Sequence, residues 1–286
     1  MKLFLLVGIL CILELVNAIP LTVENCGKSF LYPDASDRIV GGGFAQPGMY
    51  PWMASLHIKY AYWAFDCGAS VLNEHWVITA AHCFDGGRSP EKYKIHAGIH
   101  KLSESYHATV QEYRVSDIYV HPGYQKGVSL SNDIALVRTL KKIDIAGSGG
   151  YINGICLPQN SRDPTGQATA TGWGFEWHNG EMTDILKYVR LPLVDRKTCN
   201  NAYDQNPYDA YDAILPNMIC AGEENKDTCS SDSGGPLFQR DQNGISTLIG
   251  ITSFGAECGS KTHPGVYTKV GYYLDWIKKI IQTRDP

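Results

Sequence analysis

Nine cysteines in 286 residues constrain this chain more than any other feature of its sequence. That density belongs to chains folding in an oxidising compartment, where thiols become crosslinks. The leader agrees. Lys2 precedes an apolar run from Leu3 to Leu13, Glu14 interrupts it, and Val16-Asn17-Ala18 ends on a small residue. The run is about half of the ~20 residues that a membrane-spanning helix needs, so residues 1–18 are expected to be a cleaved secretory signal. Its removal takes Cys11 and leaves eight cysteines, an even number that can pair in on the order of a hundred ways. The mature protein is expected to be secreted, extracellular and without a membrane partner. The formal net charge of −4 lacks the basic excess of a nucleic-acid binder.

Residues 19–38 form a short segment that contains Cys26 and ends at Asp37-Arg38, and residues 39–286 follow without repeats or Ser/Pro-rich linkers. An apolar share of 44% is ample for a packed core in one β-rich domain or two joined halves. Short β-branched and aromatic runs at 70–80, 117–120, 133–138, 168–172, 248–253 and 265–270 alternate with turn signals such as Pro122-Gly123 and Asn243-Gly244. This spacing predicts antiparallel sheet or barrel. The C-terminus differs: Tyr273, Ile277 and Ile281 recur at i, i+4 and i+8, the stripe of an amphipathic helix.

Three short motifs carry the chemistry: Thr79-Ala80-Ala81-His82-Cys83, Asn132-Asp133-Ile134-Ala135-Leu136 and Asp232-Ser233-Gly234-Gly235-Pro236. A serine hydroxyl is a poor nucleophile until an imidazole takes its proton, and a carboxylate must hold that imidazole in the right tautomer. Each residue alone has a structural reading: a core histidine, a turn acid, a serine in a glycine-rich loop. Together they run His…Asp…Ser, not the Ser…Asp…His order of an α/β-hydrolase, and position 231 is Ser, so no Gly-x-Ser-x-Gly elbow exists.

With these motifs the chain resembles the chymotrypsin/trypsin family of secreted serine endopeptidases, over essentially all of residues 39–281. The resemblance implies an all-β fold of two antiparallel six-stranded barrels with a C-terminal helix. It implies a catalytic triad of His82, Asp133 and Ser233 in the cleft between them, with Ser253 hydrogen-bonded to the Asp. The oxyanion hole would be the backbone N–H groups of Ser233 and Ser231. Position 231 departs from the family's glycine: the N–H survives, but a side chain projects toward the leaving-group side, implying an enzyme slowed or selective against large inhibitors. Asp227 matches the acid at the floor of the trypsin primary pocket, with Gly255 and Gly265 as wall glycines. A carboxylate there favours a substrate Arg or Lys. Activation is implied at Arg38-Ile39: a trypsin-like protease cuts, and the freed Ile39 ammonium pairs with Asp232.

The same resemblance implies disulfides Cys67–Cys83, Cys199–Cys220, Cys229–Cys258 and Cys26–Cys156, the last keeping residues 19–38 attached after cleavage. Closing the Cys67–Cys83 loop should contribute on the order of 3 kcal/mol. No cofactor and no metal are expected: HExxH is absent, and Gly98 is followed by Ile99 where a calcium loop of the family would carry Glu. The expected partners are peptides and proteins with Arg or Lys at the cleaved bond, an activating protease and protein inhibitors of a monomer. The competing reading, kept open by Ser231, is a catalytically weak or silent homologue that works by binding.

Overall fold

A computed structural model describes residues 20–32, 42–128, 130–174, 182–203, 214–223, 232–255, 260 and 262–284. The first half contributes β1 (Gly43–Phe44), β2 (Met53–Lys59), β3 (Trp63–Val71), β4 (Trp76–Thr79), β5 (Tyr93–Ala97), β6 (Gln111–Val120) and β7 (Ala135–Thr139). The second contributes β8 (Gln167–Gly172), β9 (Lys187–Val194), α1 (Arg196–Tyr203), β10 (Met218–Ala221), β11 (Pro236–Arg240), β12 (Ser246–Phe254), β13 (Gly265–Lys269) and α2 (Leu274–Arg284).

Strands β2-β3-β4-β7-β6-β5 close into one antiparallel barrel. The order β9-β10-β13-β12-β11-β8 closes a second through the β8–β9 ladder, with β1 added on β9. This is the expected pair of six-stranded barrels. Closure removes the exposed edges that open sheets must otherwise protect. Alternation along β2 sends Ala54, Leu56 and Ile58 into the first core, while Ser55 and His57 line the opposite face. That face is covered too, because the His57 ring lies 4.3 Å from His96 and 6.0 Å from Phe65.

One expected run proves to be two strands. Residues 70–80 are broken at Asn73, whose Oδ1 accepts from the backbone N–H groups of His75 and Trp76 at 2.9 and 3.0 Å. The side chain substitutes for the ladder and turns the chain from β3 into β4. The C-terminal stripe forms as expected: Tyr273 ends a 3-10 turn, α2 carries Ile277 and Ile281, and all three are buried. Trp276 meets His121 at 5.1 Å, so this helix from the second half packs on the first barrel. Between the barrels, Trp52 packs edge-on against Phe238 at 5.2 Å.

Disulfides join Cys26–Cys156, Cys67–Cys83 and Cys199–Cys220. The expected Cys229–Cys258 pair, like Cys11 and the 1–18 leader, lies outside the described residues. Residues 20–32 are strapped to the body by more than their disulfide. Asn153 Nδ2 donates to the carbonyls of Asn25 and Lys28 at 2.8 and 2.9 Å, and the Gly27 N–H reaches the Gly154 carbonyl at 2.7 Å.

Candidate active site

His82 opens a single 3-10 turn, His82–Phe84, just after β4, and the Cys67–Cys83 disulfide pins that turn to β3. Asp133 stands two residues before β7 and is fully buried. The preceding Asn132 holds a left-handed φ of 55°, rare for a residue with a side chain. Its amide explains how: Nδ2 donates to the Gly123 carbonyl at 2.8 Å, while Oδ1 accepts from Tyr273 and Asn217 at 3.1 and 3.2 Å. The local strain is carried by a tertiary network, and it delivers Asp133 to the buried side of His82.

Both oxygens of Asp133 are used. Oδ2 lies 2.7 Å from His82 Nδ1 and accepts from Ser253 Oγ at 2.5 Å, while Oδ1 accepts from the His82 backbone N–H at 2.9 Å. Its own carbonyl accepts from Thr268 Oγ1 at 2.7 Å. Ser253 and Thr268 belong to β12 and β13, so the second barrel grips an acid supplied by the first. A buried carboxylate is tolerable only with such partners. With Nδ1 held by Asp133, the other ring nitrogen of His82 is left for a second partner. Burial pulls the His82 pKa down, but the hydrogen bond and charge of Asp133, with Asp85 and Asp66 adding, hold it above the ordinary imidazole value.

Ser233 occupies a tight turn from Asp232 to Gly235, closed by the Gly235 N–H donating to the Asp232 carbonyl at 2.9 Å. Gly234 follows it with φ 78°, the conformation a type II turn demands at its third residue. A Cβ on Gly234 would meet Thr79 Oγ1 at 2.1 Å and the Gly68 carbonyl at 2.5 Å, so only glycine lets this turn approach the first barrel. The Ser233 carbonyl in turn accepts from the Gly68 N–H at 2.8 Å. Ser233 and His82 line one cleft with Ile58, Tyr60, Asp66, Cys67, Cys83 and Gly86. No hydrogen bond joins the Ser233 hydroxyl to His82 among the described residues; such bonds often tighten only when substrate binds.

Asp232 Oδ1 accepts from the Gly174 N–H at 2.8 Å. Its carboxylate packs so closely on Gly172 that a Cβ there would fall 2.0 Å from Oδ1. Gly255 and Gly265 flank the ends of β12 and β13. Asp227, Ser231, Arg38 and Ile39 lie outside the described residues. Among the described residues, the His/Cys/acid group close enough to hold a metal is Cys67, His82 and Cys83, and its two sulfurs are already bonded to each other.

Sequence reasoning missed Thr268, the Asn132–Asn217–Tyr273 brace and Asp66. Asn132 stands out only as a neighbour of Asp133 and Tyr273 only as part of the helical stripe; nothing local distinguishes Thr268, Asn217 or Asp66, because segments distant in sequence bring them to the site.

Comparison with known proteins agrees with this geometry. The Trypsin family model matches residues 39–277. A protein described as venom peptide isomerase heavy chain, from Agelenopsis aperta, is 44% identical over 244 residues, covering 84% of this chain and 99% of that protein. U21-ctenitoxin-Pn1a from Phoneutria nigriventer is 41% identical over 250 residues, covering 85% of this chain and all of its own length.

Proposed function

The chain belongs to the trypsin family of serine proteases, and from that premise we propose that it is a secreted endopeptidase cleaving after Arg or Lys. The observation that carries the reading is that His82, fixed by Asp133 at 2.7 Å, lines one cleft with Ser233. Ser233 Oγ attacks the scissile carbonyl carbon and His82 takes its proton. His82 then passes that proton to the leaving amine as the C–N bond breaks, leaving an acyl ester on Ser233. Water attacks the ester, His82 accepts the water proton and returns it to Ser233, and the acid product departs. Asp133 orients the ring and stabilises the imidazolium that forms. The N–H groups of Ser233 and Ser231 receive the oxyanion.

Asp227 supplies the charge that selects Arg or Lys, with Gly255 and Gly265 leaving room for the long side chain. The protein is made with a leader, residues 1–18, and as a zymogen. A trypsin-like protease cuts after Arg38, and the Ile39 ammonium pairs with Asp232. Breaking such a buried pair typically costs about 3–5 kcal/mol, enough for an off state. The 19–38 segment remains attached through Cys26–Cys156. Substrates, the activating protease and protein inhibitors are the partners of a monomer.

A second reading is favoured by the 44% identity to a protein named as a peptide isomerase heavy chain. On that reading the chain would isomerise a peptide instead of breaking it. One experiment separates the readings: protein cut after Arg38 is incubated with a mixed peptide library, and products are resolved by mass and by chirality. New termini after Arg or Lys, lost in Asp227→Ser, are expected. Cleavage after Phe, Leu or Ala overturns the specificity. Unchanged masses with altered configuration establish the isomerase. Neither product, with no serine-directed phosphonate on Ser233, leaves the binding homologue.

A further inference from the structure

The β2–β3 ladder carries one irregularity beside the cleft. Phe65 pairs with His57 and Cys67 with Leu56, so Asp66 is an extra residue on β3 with no partner on β2. A bulge of this kind frees a side chain from the ladder's alternation and re-aims it, and such bulges concentrate next to active sites. Here it turns Asp66 into the cleft that Ser233 and His82 share.

The Asp66 carboxylate is half-buried and makes no hydrogen bond or ion pair among the described residues. Other acids near the site are engaged. Asp133 has four polar contacts at its two carboxylate oxygens and backbone carbonyl, Asp85 accepts from Tyr124, and Asp232 accepts from Gly174. Burial pushes the Asp66 carboxyl up from its ordinary range, and the charge of His82 opposes that. A half-desolvated carboxylate without a donor is a cost in the empty protein that a cationic ligand would remove.

The direction of the substrate follows from the chemistry. His82 must deliver a proton to the departing amine, so the segment beyond the scissile bond passes over His82 toward the Cys67–Cys83 wall. Gly255 and Gly265, at the ends of β12 and β13, do not line this part of the cleft. We propose that Asp66 selects a Lys or Arg one or two residues beyond the scissile bond, so that the preferred substrates are peptide segments with basic residues on both sides of the cut. The proposal rests on the hydrolase reading for its direction and on the bulge geometry for its residue.

The test uses protein cut after Arg38 and hexapeptides carrying Lys, Gln or Glu at the two positions after a fixed Arg. Wild-type protein should favour Lys over Gln by about tenfold in kcat/KM, a ratio in keeping with one partly screened charge pair. Asp66→Asn should bring the ratio near one, and Asp66→Lys should turn the preference toward Glu. Near-UV circular dichroism checks that both variants keep the fold. In parallel, the Ser233→Ala protein is titrated with the same peptides by calorimetry, where Lys should again bind about tenfold more tightly and Asp66→Asn should erase the difference. Equal values for Lys and Gln in wild type, or a preference surviving Asp66→Asn, overturns the proposal. If nothing is hydrolysed while Ser233→Ala binds the Lys peptides in an Asp66-dependent way, the hydrolase reading fails and the cleft assignment stands.

Discussion

The two barrels share a strand order and differ in what fills them. Around the first lie most of the bulkiest fully buried side chains, including Trp52, Trp76, Tyr93, Phe84 and Leu56. The interior of the second is Ala168, Ala170, Leu191, Ile219, Ala221, Leu237, Ile249 and Tyr267, three of its eight members being alanines around one large ring. The contributions to the site differ in the same sense. The first barrel presents His82 on a crosslinked turn and Asp133 in a dense hydrogen-bond network. The second presents Ser233 on a four-residue turn that depends on glycine for its approach. One topology thus serves as a stiff frame in the first half and as a slimmer carrier of Ser233 in the second.

The largest effect tests whether the halves act as one machine. Removing either His82 or Ser233 by alanine should lower kcat by about 10⁵–10⁶-fold, and Asp133→Asn by about 10⁴-fold. The double variant His82→Ala/Ser233→Ala should be no worse than either single one. Multiplicative losses, measured on a short amide substrate, would show two independent contributions and break the comparison.

Packing comes next. Leu56→Ala should destabilise the first barrel by about 2–5 kcal/mol through the cavity it leaves. In the second barrel the sensitive direction is enlargement, so Ala170→Leu should cost about 1–3 kcal/mol by overpacking. Denaturant unfolding measures both. A stabilising Ala170→Leu would mean that the second interior holds unused room.

A smaller effect probes the grip of one barrel on the other. Thr268→Val keeps the shape and removes the donor to the Asp133 carbonyl, for a loss of about 1 kcal/mol. Stability should change while kcat falls by less than about tenfold, since both Asp133 oxygens keep their partners. A loss as large as that of Asp133→Asn would make Thr268 a positioning residue in its own right.

The remaining test is in pH, where two histidines of the first barrel act with opposite signs. Burial, with His96 and Lys94 nearby, pushes His57 from 6.5 down to about 3. The unfolded chain then binds a proton that the folded chain refuses, so stability falls as pH drops from about 6.5 toward 3. His82 is raised, so its protonated form is favoured in the fold; that stabilisation is complete below about 6.5 and disappears as pH rises through the elevated value. Thermal unfolding across pH should show the acid limb flattened in His57→Gln and unchanged in His82→Gln. Activity, needing neutral His82, should rise through that elevated value, with a lower midpoint in Asp66→Asn.

Much of this architecture is legible in the chain itself. Periodicity suffices for α2, because Tyr273, Ile277 and Ile281 fall on one stripe whatever they pack against. The order of His82, Asp133 and Ser233 is legible because each sits in a short local motif, and the structure brings His82 and Ser233 to one cleft, with Asp133 bonded to His82 behind it. What escapes is whatever depends on pairing between distant strands. The Asn73 break hides inside an apolar run. Thr268 looks like any strand residue until β13 passes Asp133. The bulge that exposes Asp66 is invisible because register belongs to two strands at once, and neither one alone encodes it.

The double grip on Asp133 has a mechanical meaning. His82 on one side and Ser253 and Thr268 on the other hang from a single residue, so the cleft cannot widen without pulling on the bonds that aim the imidazole. Separation of the two barrels and alignment of the His82 ring are therefore mechanically linked. Any parting of the two barrels would load, at one buried aspartate, the same bonds that hold the His82 ring in place.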